Sequence, residues 1–214
     1  YVQLLDHDTS EFLIILMMME ANVQFSNTEL ELMKNADIIL TKNKVLQKIK
    51  LLFQDLQEEM IPFRTSDSIF NNAPKISRGE NYEGLPWLVL DYPRMFIPNN
   101  IFAIRSMFWW GNYFSSTLHI SGERKLLLAG RITGEYDRLR EAGYSIYVNE
   151  DPWKHHFEES NYIPIQSDSR QTFSDHVHKY DHVKLAAKFS LNDMDAATKA
   201  LLHSWKLLLD VCGY

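Results

Sequence analysis

Two runs rich in β-branched and aromatic residues, Ile101 to Trp110 and Tyr113 to Ser121, are joined only by Gly111-Asn112. So short a connection permits one arrangement of neighbouring strands, the antiparallel hairpin, because parallel strands need a crossover of a dozen or more residues. Glycine at the first loop position suits a type II′ turn, which requires positive φ there. A two-residue loop would set Trp110 opposite Tyr113, Phe108 opposite Ser115, Ser106 opposite Thr117 and Ile104 opposite His119. The other face would then pair Trp109 with Phe114, Met107 with Ser116, Arg105 with Leu118 and Ala103 with Ile120. On this register Arg105 and His119 point to opposite faces, neither face is wholly polar, and both are expected to be covered. A buried arginine is costly unless paired, so a carboxylate partner is expected, Asp91 or Glu80.

The flanking chain supplies the other layers. An apolar segment from Glu11 to Val23 reads as a helix or a buried strand. Ser26-Asn27-Thr28-Glu29 has the capping-box pattern and opens a short helix to Lys34. From Asp37 onward Val45, Leu46, Ile49, Leu52, Phe53, Leu56 and Met60 recur at helical spacing, with charged residues opposite, until Ile61-Pro62 ends the helix. Residues 63–86 are polar and rich in Asn, Gly and Pro, which predicts a long connection. Leu88 to Leu90 reads as a strand stopped by Pro93. After Gly122 a helix is predicted over Glu123 to Ala142, with Gly143 at its stop. Short strands follow at Tyr144 to Val148 and Tyr162 to Ile165. A short helix is predicted near Phe173 to Tyr180, an amphipathic strand over Val183 to Phe189, and a last helix from Ser190 to Gly213. The pattern predicts an α+β fold with a mainly antiparallel sheet and N-terminal and later helices packed on it. It is expected as one domain over 1–214, with a mostly helical part to residue 62 and an α+β part from residue 63.

Composition narrows the function classes. The net charge of −6 argues against general phosphate-backbone binding, which needs a basic face. A single cysteine, Cys212, rules out an intrachain disulfide framework and a thiolate metal cage. That is consistent with a soluble cytoplasmic protein. Phe12 to Met19 is too short to span a bilayer, which takes about 20 residues. Its acidic flank, Asp6, Asp8 and Glu11, is wrong for a signal peptide. Because the chain starts at Tyr1, residues can precede it.

No nucleophile elbow, phosphate-cradling glycine loop or dinucleotide fingerprint occurs, and no motif names a cofactor. Ser121-Gly122 opens a helix whose N–H groups favour anions, although Glu123 already supplies negative charge there. Asp175-His176-Val177-His178-Lys179-Tyr180-Asp181-His182 resembles the His-x-His-x-Asp-His signature of metallo-β-lactamase-like hydrolases, but with one residue too many before the Asp. His176, His178 and His182 are therefore weak metal candidates, and His155-His156 weaker still because adjacent side chains diverge. The stronger group is Arg78, Glu80, Tyr82, Asp91, Arg94, Arg105, Trp109, Trp110, Tyr113 and His119, joined by Lys75, Tyr92 and Asn112. Aromatic walls with a few charged groups make small-molecule sites, and equally make hairpin cores and interfaces.

The pattern Lys75 to Arg94 (KISRGENYEGLPWLVLDYPR), Phe102 to Asn112 (FAIRSMFWWGN) and Thr117 to Gly122 (TLHISG) resembles bacterial proteins of unknown function. The resemblance implies a bacterial origin and brings no activity. The functional expectation is a non-enzymatic bacterial protein that binds a small ligand or a protein through the aromatic hairpin and the 75–94 loop. A homo-oligomer through the aromatic surface is among its expected partners. The alternative is an enzyme on a small polar or anionic substrate, with Arg78, Arg94 or Arg105 as clamp and His119 or a tyrosine as acid-base group. A metal-dependent hydrolase is the weaker alternative.

Overall fold

A computed structural model describes residues 23–214. The expected Glu11 to Val23 segment lies, but for Val23, outside the described residues. The chain divides into two compact units, residues 1–44 and 45–214. In the first, helix α1 (Asn27–Lys34) begins at the predicted capping box: Ser26 Oγ accepts the Glu29 N–H, and the Glu29 carboxylate accepts the Ser26 N–H at 2.7 Å. Helix α2 (Ala36–Met60) runs on into the second unit, where Leu46, Ile49, Phe53, Leu56 and Met60 form its buried stripe. Pro62 lies in the 3-10 turn that ends it.

The second unit is built on one antiparallel seven-stranded sheet of order β1-β2-β3-β4-β7-β5-β6. Its strands are β1 (Lys75–Tyr82), β2 (Leu85–Ile97), β3 (Asn100–Trp109), β4 (Tyr113–Ser121), β5 (Ser145–Tyr147), β6 (Tyr162–Pro164) and β7 (His182–Phe189). Its further helices are α3 (Gly122–Gly134), α4 (Tyr136–Glu141), α5 (Arg170–Lys179) and α6 (Met194–Cys212). With its helices, this is the expected α+β class. One face of the sheet carries Leu88, Leu90, Phe102, Ile104, Phe114, Leu118, Ile120, Val183 and Leu185 into the main core with the helices. Trp205 of α6 stacks on Tyr92 and donates its indole N–H to the Tyr92 carbonyl. Cys212 is buried in the last helical turn, and burial pushes its thiol up to about 12.

Three expectations are corrected. The 63–86 connection is half strand: β1 lies at the sheet edge, so water takes up its polar side chains and its sequence shows no apolar alternation. Strand β2 does not stop at Pro93 but continues to Ile97, because Pro93 falls within the register shift between Asp91 and Arg94, where its missing N–H costs no ladder bond. The predicted 123–142 helix is broken at Glu135 into α3 and α4.

The hairpin register also differs. The β3–β4 loop has three residues, with Trp110 and Gly111 central to a turn closed by the Asn112 N–H to the Trp109 carbonyl at 3.1 Å. Gly111 takes φ +73, the left-handed value expected of glycine at the third turn position. Trp109 therefore faces Tyr113, Arg105 faces Thr117, and Ala103 faces His119. A slip of one residue turns every side chain of a strand over relative to its partner. Arg105 and His119 thus share one face of the sheet, together with Asp91 and Lys184. That face is polar at its centre.

Candidate functional site

The polar face is roofed by the segment 149–161 between β5 and β6. Asn149 Oδ1 accepts the Asp151 N–H at 2.9 Å and Asp151 Oδ1 accepts the Trp153 N–H at 3.0 Å, two local turns that set the start of the roof. The sheet then holds its main chain down. Tyr82 Oη accepts the His155 N–H at 2.6 Å, and Tyr113 Oη accepts the Phe157 N–H at 3.2 Å. Lys184 Nζ donates to the carbonyls of Pro152, at 2.9 Å, and Lys154. Phe157 stacks on Tyr162.

Beneath the roof, the Asp91 carboxylate accepts Arg105 Nε–H at 2.7 Å and Nη2–H at 2.9 Å, a two-point pair that neutralises both charges. Arg105 Nη1–H reaches His155 Nε2 at 3.0 Å. Guanidinium can only donate, so Nε2 of His155 accepts and the ring proton sits on Nδ1. Burial, with Lys184 and Arg105 nearby, holds His155 well below the ordinary histidine range, consistent with that neutral tautomer. Lys184 is 1% exposed. Its ammonium also lies 4.0 Å from the Tyr147 ring centroid. Burial lowers its pKa to about 7, Arg105 adds to the shift, and Asp151 opposes it.

One side of this covered face opens. There a cleft of about 600 Å³ is lined by Phe96, Ile97, Pro98, Pro152 and Trp153. His119, His182, Ser121, Gly122, Lys125 and Asp181 also line it, as do Ile101 and Leu126. His119 is 6% exposed and His182 8%. Nε2 of each is buried with no hydrogen-bond partner among the described residues. Burial lowers the His119 pKa to about 3, with Lys184, His182 and Arg105 contributing. His182 is lowered by burial and by Lys184; a hydrogen bond to the Asn149 main chain opposes this, Lys125 adds to it and Asp181 opposes it. Behind His119 a pit of about 10 Å³, bordered by Arg105, Thr117, His155 and Lys184, has room for about one water.

The sequence-predicted residues divide accordingly. Asp91, Arg105 and His119 come together, and of the two expected carboxylates, Asp91 or Glu80, it is Asp91 that pairs with Arg105. Tyr82, Trp109 and Tyr113 lie on the same face but pack edge to face with one another, and the two phenols hold the roof rather than open onto the cleft. Trp110 packs on Phe108 at the other face. Arg78 and Glu80 are exposed on the edge strand β1. Arg94 donates Nε–H to the Ala73 carbonyl at 2.7 Å. Of Arg78, Arg94 or Arg105, expected as a clamp, Arg105 borders the covered face, with its guanidinium taken up by Asp91 and His155. Lys75 lies opposite Asp91 on the edge strand, Tyr92 is in the main core, and Asn112 is exposed in the hairpin turn. The weak metal candidates also separate: His176 faces Asp168 at 3.7 Å, His178 Nδ1 meets the Ser174 carbonyl, and His182 lines the cleft. No group of three metal-ligating side chains occurs among the described residues.

Sequence reasoning missed Lys125, Trp153, His155, His182 as a cleft residue, and Lys184. Lys184 looked solvent-facing because its strand alternates; that β7 lies between β4 and β5, under a roof, is a property of strand order. Among the described residues no helix is long and apolar enough to cross a membrane. No protein-family model, curated protein or solved structure matches the chain.

Proposed function

We propose that this protein binds a small molecule with an apolar body and a polar end in the cleft lined by Trp153, His119 and His182. The observation that carries the reading is the pair of buried, unpartnered imidazole nitrogens, of His119 and His182, on the wall of an otherwise largely apolar cleft. Buried polar atoms are normally satisfied, and apolar clefts with a few polar side chains in their walls are where small molecules bind. Trp153 is 51% exposed, and Phe96, Ile97 and Leu126 are exposed beside it, which offers apolar surface for the body of a ligand. The functional surface is thus the cleft at the open end of the roof, displaced from the aromatic hairpin itself.

A catalytic reading is favoured by one observation, the near-neutral amine of Lys184 beside His119 in the wall of the pit. Its two carbonyl partners and its burial make it a fastening of the roof first, so binding without chemistry is the reading kept. The same apolar rim would serve a contact between copies of the chain.

The test is a small-molecule library titrated into the full chain and followed by the Trp153 indole and His119 ring signals in NMR spectra. Hits should move both signals, and Trp153→Ala should weaken them while leaving the fold's amide pattern intact. A library whose hits move neither signal, or bind Trp153→Ala equally well, removes the cleft as the site.

A further inference from the structure

We propose that the ligand of this cleft is uncharged, its polar end a neutral hydrogen-bonding group such as a carboxamide or an alcohol. This rests on the cleft being the ligand site. Of the side chains that line it, two carry charge at neutral pH, Lys125 and Asp181, one of each sign. Lys125 is buried, and its ammonium donates to the carbonyls of Tyr180 and His178. Burial lowers its pKa and Asp181 opposes that shift, so the two charges act on each other. His119 and His182 are both lowered from the ordinary histidine value, first by burial, and are uncharged imidazoles at neutral pH. Phe96, Ile97, Ile101, Leu126, Pro152 and Trp153 supply most of the remaining lining.

The charges behind the wall are compensated as well. Arg105 is held by Asp91 in its two-point pair. Lys184 gives its ammonium to the Pro152 and Lys154 carbonyls and feels the Asp151 carboxylate. The start of α3 offers no seat for an anion: Asn100 Oδ1 accepts the Arg124 N–H at 3.3 Å, the Asp181 carbonyl accepts the Gly122 N–H at 3.4 Å, and Glu123 already lies in the first turn. The side chains of Glu123, Arg124 and Lys154 lie outside the cleft lining.

An ion placed in this cleft gives up water among apolar side chains and meets no uncompensated opposite charge. Taking an unpaired charge out of water costs far more than taking out a neutral amide or hydroxyl. A carboxylate drawn to Lys125 meets Asp181, and an ammonium drawn to Asp181 meets Lys125. A neutral polar group carries neither penalty. Because the balance is between two single charges, removing either one tips the wall by a full unit. Asp181 is exposed, so water moderates its share.

The experiment titrates hydrocinnamide, hydrocinnamate and phenylpropylamine into the full chain at neutral pH and low salt, following the Trp153 and His119 NMR signals. The amide should bind about tenfold more tightly than either ion. Asp181→Asn should improve binding of the acid and Lys125→Gln that of the amine, each leaving the amide unchanged. The wild-type series and the exposed Asp181 position carry the test if the buried Lys125→Gln fails to fold. An acid or amine that moves both signals as tightly as the amide overturns the uncharged assignment and leaves the cleft standing. Unchanged affinity ratios in the folded variants overturn it too, because the selection would then not come from this charge pair. If none of the three compounds moves either signal at millimolar concentration, the assignment falls; the library titration then decides separately whether the cleft reading falls with it.

Discussion

His119 lies on the central strand β4 with its ring against Trp153 and His182, and its protonation is opposed by burial first and by Lys184 next. Its pKa of about 3 in the fold lies below the ordinary 6.5, so the unfolded chain takes up this proton first as pH falls. Stability contributed by the neutral ring is complete above pH 6.5 and is lost on acidification toward about 3, at up to roughly 1.4 kcal/mol per pH unit. His119→Gln should flatten urea-measured stability against pH over that window. His155 and His182, shifted the same way, keep part of the slope. Identical slopes in variant and wild type would remove His119 as a source of acid sensitivity. Lys184 acts in a higher window: its folded pKa of about 7 against 10.5 makes the burial penalty full below about 7 and relieved as pH rises toward 10.5.

At the level of elements, the junction of β4 with α3 lies against the β2–β3 turn beside the cleft. Gly122 has φ +60, and a Cβ there would lie 1.6 Å from the Asn99 carbonyl oxygen in the β2–β3 turn. Both the left-handed backbone and the contact with main chain require glycine. Gly122→Ala should destabilise the protein by about 1–3 kcal/mol or more in chemical denaturation. Gly130, in the middle of α3 with open space around its Cβ position, is the contrast: Gly130→Ala should stabilise by about 0.5–1 kcal/mol. Equal effects of the two substitutions would mean that helix propensity alone decides, and that the Gly122 junction is not constrained.

Across the second unit, the sheet has two edges. One ends in β6, only three residues long, and the other in the eight-residue β1. A long exposed edge invites pairing with another chain, and β1 carries Lys75, Arg78 and Glu80, the kind of charge that discourages it. This gives Arg78 and Glu80 a role apart from the cleft. Replacing both, Arg78→Val with Glu80→Val, should raise the light-scattering mass above that of the wild type as concentration increases. An unchanged mass would show that these charges do not guard the edge.

The amino-acid sequence by itself determined the elements whose signals are local: the Ser26 capping box, the α2 stripe, the hairpin strands and the helix end at Gly213. It also pointed to Arg105, its Asp91 partner and His119, because charged groups inside aromatic strands demand an explanation. Their common face was not legible. One residue of loop length turns a strand over, and both loop lengths suit the same Gly-Asn pair. Lys184, Lys125, His182 and Trp153 became a site only in three dimensions. Strand order set β7 beside β4, and the 149–161 roof, held by Tyr82, Tyr113 and Lys184, removed water from side chains that a single strand would leave exposed.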